Sequence, residues 1–168
     1  MIDDLLVGNA EFIKKLREVP ALQLFGKNDI NHILNFSKIK KYEAGDIIIE
    51  EGSYDNWIFI LISGMVSVIK RGSEIDVLQR TGDVFGEMCV IDGSPRSATI
   101  KAASDCICLA TDVSFIDNLF NGDRLAFCAV FYQMIAEVLA CRLRDTSAEL
   151  VKTERELARL KLTATKGV

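Results

Sequence analysis

Residues 82–100 read Gly-Asp-Val-Phe-Gly-Glu-Met-Cys-Val-Ile-Asp-Gly-Ser-Pro-Arg-Ser-Ala-Thr-Ile, and the rest of the 168-residue chain divides around them. Before this stretch the apolar residues come in short β-branched runs, and after it they drift into one long helical pattern. Inside it, Phe85-Gly86-Glu87 and Pro95-Arg96-Ser97-Ala98 bracket a short apolar turn, Met88 to Ile91. Gly86 has no side chain, so a ligand can approach the backbone there, and the amides that follow can point at an anion. Arg96 offers a planar, permanently charged fork suited to phosphate or carboxylate. Glu87 can accept hydrogen bonds from hydroxyls, and Ser97 adds a hydroxyl beside the arginine. The set suits a phosphorylated sugar. The same spacing also suits a Glu87–Arg96 ion pair that only closes the loop.

Working outward, Ile39, Tyr42, Ile47 to Ile49, Trp57 to Ile62 and Met65 to Ile69 are β-branched and aromatic stretches. Gly45, Gly52, Gly64 and Gly72 punctuate them, and further strands are expected at Ile75 to Leu78, Ser97 to Ala102 and Cys106 to Ala110. Short strands separated by glycine turns, with no βα alternation, predict an antiparallel sandwich or jelly roll. On the N-terminal side, Leu5, Leu6, Phe12, Ile13 and Leu16 suggest an amphipathic helix that Pro20 ends. Asn28 can cap a second short helix through Phe36. On the C-terminal side, Ser114 to Phe120 reads as a short helix and Asn121-Gly122-Asp123 as a break with Asp123 as N-cap. From Arg124 to about Lys161 there is no proline or glycine. The apolar seam thins to Leu143, Thr146, Leu150, Thr153, Leu157 and Leu160, a heptad that can pair with a second copy or lie on the β domain. The chain therefore divides into a helical segment over 1–36, a β domain over 37–120 and a long helix over 121–168.

Composition narrows the function. Hydrophobic residues make up 49% and charged residues 26%, enough for a substantial core. A net charge of −4 argues against a surface built for nucleic-acid phosphates, so no DNA binding is expected. No uninterrupted apolar run reaches the length of a membrane span and the start of the chain is acidic, so the expectation is a cytoplasmic protein away from membranes. The five cysteines form no CxxC pair and read as reduced, mostly buried thiols. With His32 as the single histidine, no metal site is expected, and a histidine-rich, cupin-like metal enzyme is excluded.

The residues also carry a resemblance. Phe85-Gly86-Glu87-Met88 followed by Pro95-Arg96-Ser97-Ala98-Thr99 resembles the phosphate-binding cassette of cyclic nucleotide-binding domains. Tyr42 to Ile48, Glu51-Gly52 and Phe59 to Val66 resemble that family's strand-and-glycine framework, so the likeness covers roughly residues 20–147. It implies a mainly β fold with flanking helices, an eight-stranded antiparallel β-roll plus the long C-terminal helix. It also implies a cyclic nucleotide as regulatory ligand, no catalytic residues and no cofactor. Arg96 would take the cyclic phosphate, with the amides of Gly86, Ser97 and Ala98 completing the cradle. Glu87, with Gly86 and Met88, would hold the ribose.

Farther on, Arg142-Leu143-Arg144-Asp145-Thr146-Ser147 resembles the segment of catabolite activator proteins that covers the base. In those proteins a threonine and the serine after it, one from each protomer, bond the adenine amino group. Arg142, Thr146 and Ser147 match that arrangement, which favours cyclic AMP over cyclic GMP. Ser97 keeps guanine open, because a hydroxyl just after the cassette arginine can bond that base. The 21 residues after Ser147 are too few for a helix-turn-helix domain. The expectation is a bacterial-type homodimeric receptor that signals to an unidentified partner protein through its long helix. The alternative is a β-roll scaffold that dimerises and no longer binds nucleotide.

Overall fold

The computed structural model describes residues 22–26, 30, 33–119 and 121–165. The first amphipathic segment, the Asn28 cap and His32 lie outside these residues. Two compact units make up the chain, meeting between Tyr132 and Gln133.

The first unit holds eight antiparallel strands: β1 (Ser37–Tyr42), β2 (Ile47–Ile49), β3 (Trp57–Ser63), β4 (Val66–Lys70), β5 (Ser73–Leu78), β6 (Val84–Phe85), β7 (Thr99–Ala102) and β8 (Cys106–Asp112). They form two four-stranded sheets, β1-β8-β3-β6 and β2-β7-β4-β5. Because side chains alternate along a strand, each sheet turns one set inward. Phe59, Leu61, Phe85, Cys106, Cys108 and Ala110 of the first sheet meet Ile49, Val66, Leu78, Ile100 and Ala102 of the second in one core. Tyr42, Ile48, Trp57 and Val68 pack on its margin. The turn before β4 is tight: a Cβ on Gly64 (φ +91°) would stand 2.3 Å from the Asp105 carbonyl oxygen, so only glycine fits.

Four elements differ from the sequence expectation. Strand β6 went unread because two residues carry no periodicity, and it exists through its pairing with Phe59 and Ile60. Strand β7 begins at Thr99 rather than Ser97, which leaves Ser97 and Ala98 in the bend that enters it. The short helix after β8 is a 3₁₀ helix over Val113–Asn118, its start capped by Asp112, whose carboxylate accepts from the Ser114 amide. The long helix starts at Asn121 and takes in Gly122 and Asp123, where a break was expected.

Two further helices bear on the site: the short α1 (Met88–Asp92), inside the central stretch, and the long α2 (Asn121–Thr165), which is 45 residues long. Within the first unit, aromatic rings join the flanking helical pieces. Phe36 stacks on Phe115 at 4.7 Å, Phe115 meets Phe127 edge-on at 5.3 Å, and Phe127 contacts Phe25 at 5.6 Å and Phe131 at 5.8 Å. A buried hydroxyl pair, Ser37 and Thr111 at 2.7 Å, ties the preceding turn to β8, with the Ser37 hydroxyl within 2.6 Å of the Ile33 carbonyl.

In the second unit, Leu143, Leu150, Leu157 and Leu160 are all more than half exposed. The expectation that no segment suits a membrane rested on uninterrupted apolar runs. Counted over a window, part of Arg124–Lys161 reaches a mean hydropathy of 1.5 with 22% of it buried, so by length and composition this helix could cross one. The scattered charges hide the signal from a run count.

Candidate binding site

The central stretch folds as β6, a sharp turn, α1 and an arginine-bearing loop. Gly86 sits at φ +82°, and a Cβ there would lie 2.6 Å from Nη1 of Arg96 and 3.0 Å from the Trp57 carbonyl. A side chain would therefore evict the arginine. Glu87 follows as the N-cap residue of α1, and Gly93 ends the helix in the left-handed region with its amide on the Cys89 carbonyl. The loop then carries Arg96 back beneath Gly86.

Two charged side chains are almost fully enclosed: Glu87 is 2% exposed and Arg96 3%. Burying a charge is costly without partners, and Arg96 has them on all three guanidinium nitrogens. Nε donates to Oδ2 of Asp55 at 3.1 Å, Nη1 to the Gly86 carbonyl, and Nη2 to both Oδ1 of Asp55 and the Trp57 carbonyl. The sequence offered Glu87 as a partner for Arg96 that closes the loop; the structure pairs Arg96 with Asp55. The bond to the Gly86 carbonyl uses one of the two N–H groups of Nη1.

Asp55 is the functional residue that sequence reasoning missed. It lies 41 positions from Arg96, in the loop between β2 and β3. Two backbone bonds hold that loop in place, from the Gly52 amide to the Arg96 carbonyl at 2.9 Å and from the Arg96 amide to the Ser53 carbonyl at 2.8 Å. The Cys89 thiol adds a third tie to the Asp55 carbonyl at 3.3 Å. Partial burial alone would raise the Asp55 pKa. Hydrogen bonds from Arg96 and the Trp57 amide, then the charges of Arg96 and Lys40, outweigh it and hold the carboxyl below its ordinary value. For Cys89 burial dominates and pushes the thiol up, so it is a hydrogen-bond donor here rather than a thiolate. The one sequence signal for Asp55 was its place just after the Glu51-Gly52 framework.

The remaining candidates divide. Gly86, Glu87, Met88, Arg96, Ser97 and Ala98 are brought together in the first unit. The Ser97 hydroxyl lies 3.4 Å from the Met88 sulfur and donates to it. Among the described residues, no turn or loop bond uses the amides of Gly86, Ser97 or Ala98. Arg142, Thr146 and Ser147 lie on α2 in the second unit, the arginine half-buried and both hydroxyl residues exposed. All five cysteines are free thiols; Cys89, Cys106 and Cys108 are buried, whereas Cys141 is exposed. No metal-ligating cluster occurs among the described residues.

Known proteins resemble this chain. The family profile described as the cyclic nucleotide-binding domain matches residues 39–123. The cGMP-dependent protein kinase of Eimeria tenella is 31% identical over 112 residues, which are 67% of this chain and 11% of the kinase. A cAMP-dependent protein kinase regulatory subunit of Schizosaccharomyces pombe is 33% identical over 87 residues, 52% of this chain and 21% of that protein. The chain thus spans only a minor part of the length of these curated relatives, both eukaryotic. Among solved structures, a cyclic nucleotide-binding domain from Methylobacillus flagellatus superposes with a TM-score of 0.74 over 85% of this chain and 84% of its own, at 18% identity, a likeness of fold. The catabolite activator protein of Thermus thermophilus gives 0.58 at 25% identity, covering 80% of this chain and 63% of its own. With two sheets, a glycine-led turn and a buried glutamate and arginine in one matched segment, the chain belongs to the cyclic nucleotide-binding domain family.

Proposed function

We propose that this chain is a cytoplasmic, non-catalytic receptor for a cyclic nucleotide, cyclic AMP in preference to cyclic GMP. It would report binding to a partner protein through α2. The observation that carries the reading is the enclosure of Glu87 and Arg96 at either end of one short cassette. Two charges buried this deeply beside a side-chain-free backbone serve a ligand that bears both an anion and a hydroxyl. The second Nη1 hydrogen of Arg96 and the amides of Gly86, Ser97 and Ala98 take the cyclic phosphate. Glu87, with Gly86 and Met88, takes the ribose. Arg142, Thr146 and Ser147 face the base, and α2 pairs with its copy in a homodimer through the exposed leucines. The names of the relatives include both nucleotides, which is why cyclic AMP rests on Thr146 and Ser147 alone.

Calorimetric titration of cyclic AMP and cyclic GMP tests this. Saturable binding of one to one per chain, tighter for cyclic AMP, is expected; no heat with either would overturn it. One observation favours a second reading. Arg96 already has an internal carboxylate in Asp55, so the cassette is closed without ligand and could serve a scaffold. Ligand at about a hundred times its Kd adds roughly 2.7 kcal/mol of stability, and a thermal scan unmoved by either nucleotide selects the scaffold.

A further inference from the structure

Lys40 is the cation that the cassette motif does not include. On β1 it pairs in register with Cys108 of β8, which lines the interior, and Tyr42 two residues on packs against the same core. The Lys40 side chain therefore lies on the inner face of the sheet. It does not stay above its own strand. The inner residues of β8 beside it, Cys108 and Ala110, are small and wholly covered. The lysine reaches across them to β3, where Nζ stands 4.8 Å from the centroid of the Trp57 ring and 5.8 Å from that of Phe59. An ammonium normally turns outward to water; the electron-rich ring faces hold this one at the entrance to the core.

Its position bears on the charge of the site. Asp55 occupies Nε and Nη2 of Arg96, so much of the guanidinium charge is cancelled inside the protein before any anion arrives. Lys40 stands over the ring of Trp57, whose amide donates to Oδ1 of Asp55 and whose carbonyl accepts from Nη2 of Arg96, so the ammonium belongs to the same cluster as this pair. Without Lys40 the Asp55 carboxylate would be countered by Arg96 alone, leaving less of the guanidinium charge for an incoming phosphate. Building on the reading of the cassette as a cyclic-phosphate site, we propose that Lys40 is a positioning residue for the anionic ligand: it counters Asp55, so that Arg96 keeps a net attraction for the phosphate.

Trp57 is the single tryptophan of the chain, lies under Lys40 and gives its carbonyl to Arg96, so its emission reports this site directly. The test titrates cyclic AMP and cyclic GMP into wild type, Lys40→Met, Lys40→Gln and Lys40→Arg, following tryptophan emission and, independently, heat. At about 0.05 M salt both neutral variants should raise Kd about 5- to 10-fold, while Lys40→Arg stays within about 2-fold of wild type. By about 0.5 M salt the gap should close to about 2-fold, because screening removes a charge effect and leaves packing untouched. An unchanged Kd, or a loss of equal size at both salt concentrations, overturns the proposal. Failure of wild type to bind either nucleotide overturns the underlying reading instead, and the two failures are distinct.

Discussion

The cassette and the distal half of α2 place their difficult groups in opposite ways. In the cassette the costly groups are charges, and the fold encloses them: Arg96 is 3% exposed with every guanidinium nitrogen bonded. In α2 the costly groups are leucines, and the single chain leaves them in water, from 51% at Leu157 to 68% at Leu143. A buried charge without a partner is destabilising, so the cassette folds complete within one chain. An apolar heptad seam gains nothing until something covers it, so α2 is finished only by another surface. The first region pairs its charges within itself; the second leaves its apolar seam uncovered in the single chain.

The largest effect should come from opening the cassette. Arg96→Ala removes the fork and strips Asp55 of its partner, and nucleotide affinity should fall by roughly 2–5 kcal/mol. Calorimetry giving wild-type affinity would break the contrast at its firmer end. Next comes the seam. Leu150→Lys should weaken a helix-paired dimer by about 3 kcal/mol, because each copy loses a leucine from the interface. With α2 paired as proposed, sedimentation equilibrium should give dimer for wild type and monomer for the variant, and an unchanged mass would mean the leucines do not pair.

Gly86→Ala should cost about 2 kcal/mol in thermal unfolding, since a left-handed residue is forced against Arg96 and the Trp57 carbonyl. Thr146→Ala should weaken cyclic AMP by about 1 kcal/mol and leave cyclic GMP alone. Competition that moves both ligands equally removes the base role. The smallest effect belongs to pH. The folded Asp55 pKa lies below its ordinary 3.8, so its stabilising contribution is complete above that value and is lost as pH falls through the folded pKa. Wild type should therefore lose Tm more steeply than Asp55→Asn in acid, with a constant gap above about pH 5. Parallel curves throughout would deny the pairing any role in solution.

The cassette was legible because its chemistry is local. Gly86, Glu87, Arg96 and Ser97 stand close in sequence; the glycine signals close backbone approach and the arginine a fork for an anion. Asp55 was not legible, since nothing in its own neighbourhood shows that β3 carries its loop under Arg96. Lys40 carried no signal of its own for the same reason. Its role depends on Cys108 and Ala110 being small on the strand between it and Trp57.

By itself the amino-acid sequence determined the run of short strands, the glycine turns, the helical stretch after residue 120 and the cassette, because each depends on periodicity or on neighbours within about a dozen residues. Only the tertiary structure decided that Val84-Phe85 is a strand, that Asn121 already belongs to the helix, that the arginine is paired with Asp55 and that Lys40 stands over the Trp57 ring. These depend on which strands lie side by side. That adjacency is set by the whole core packing at once, and no local spacing records it.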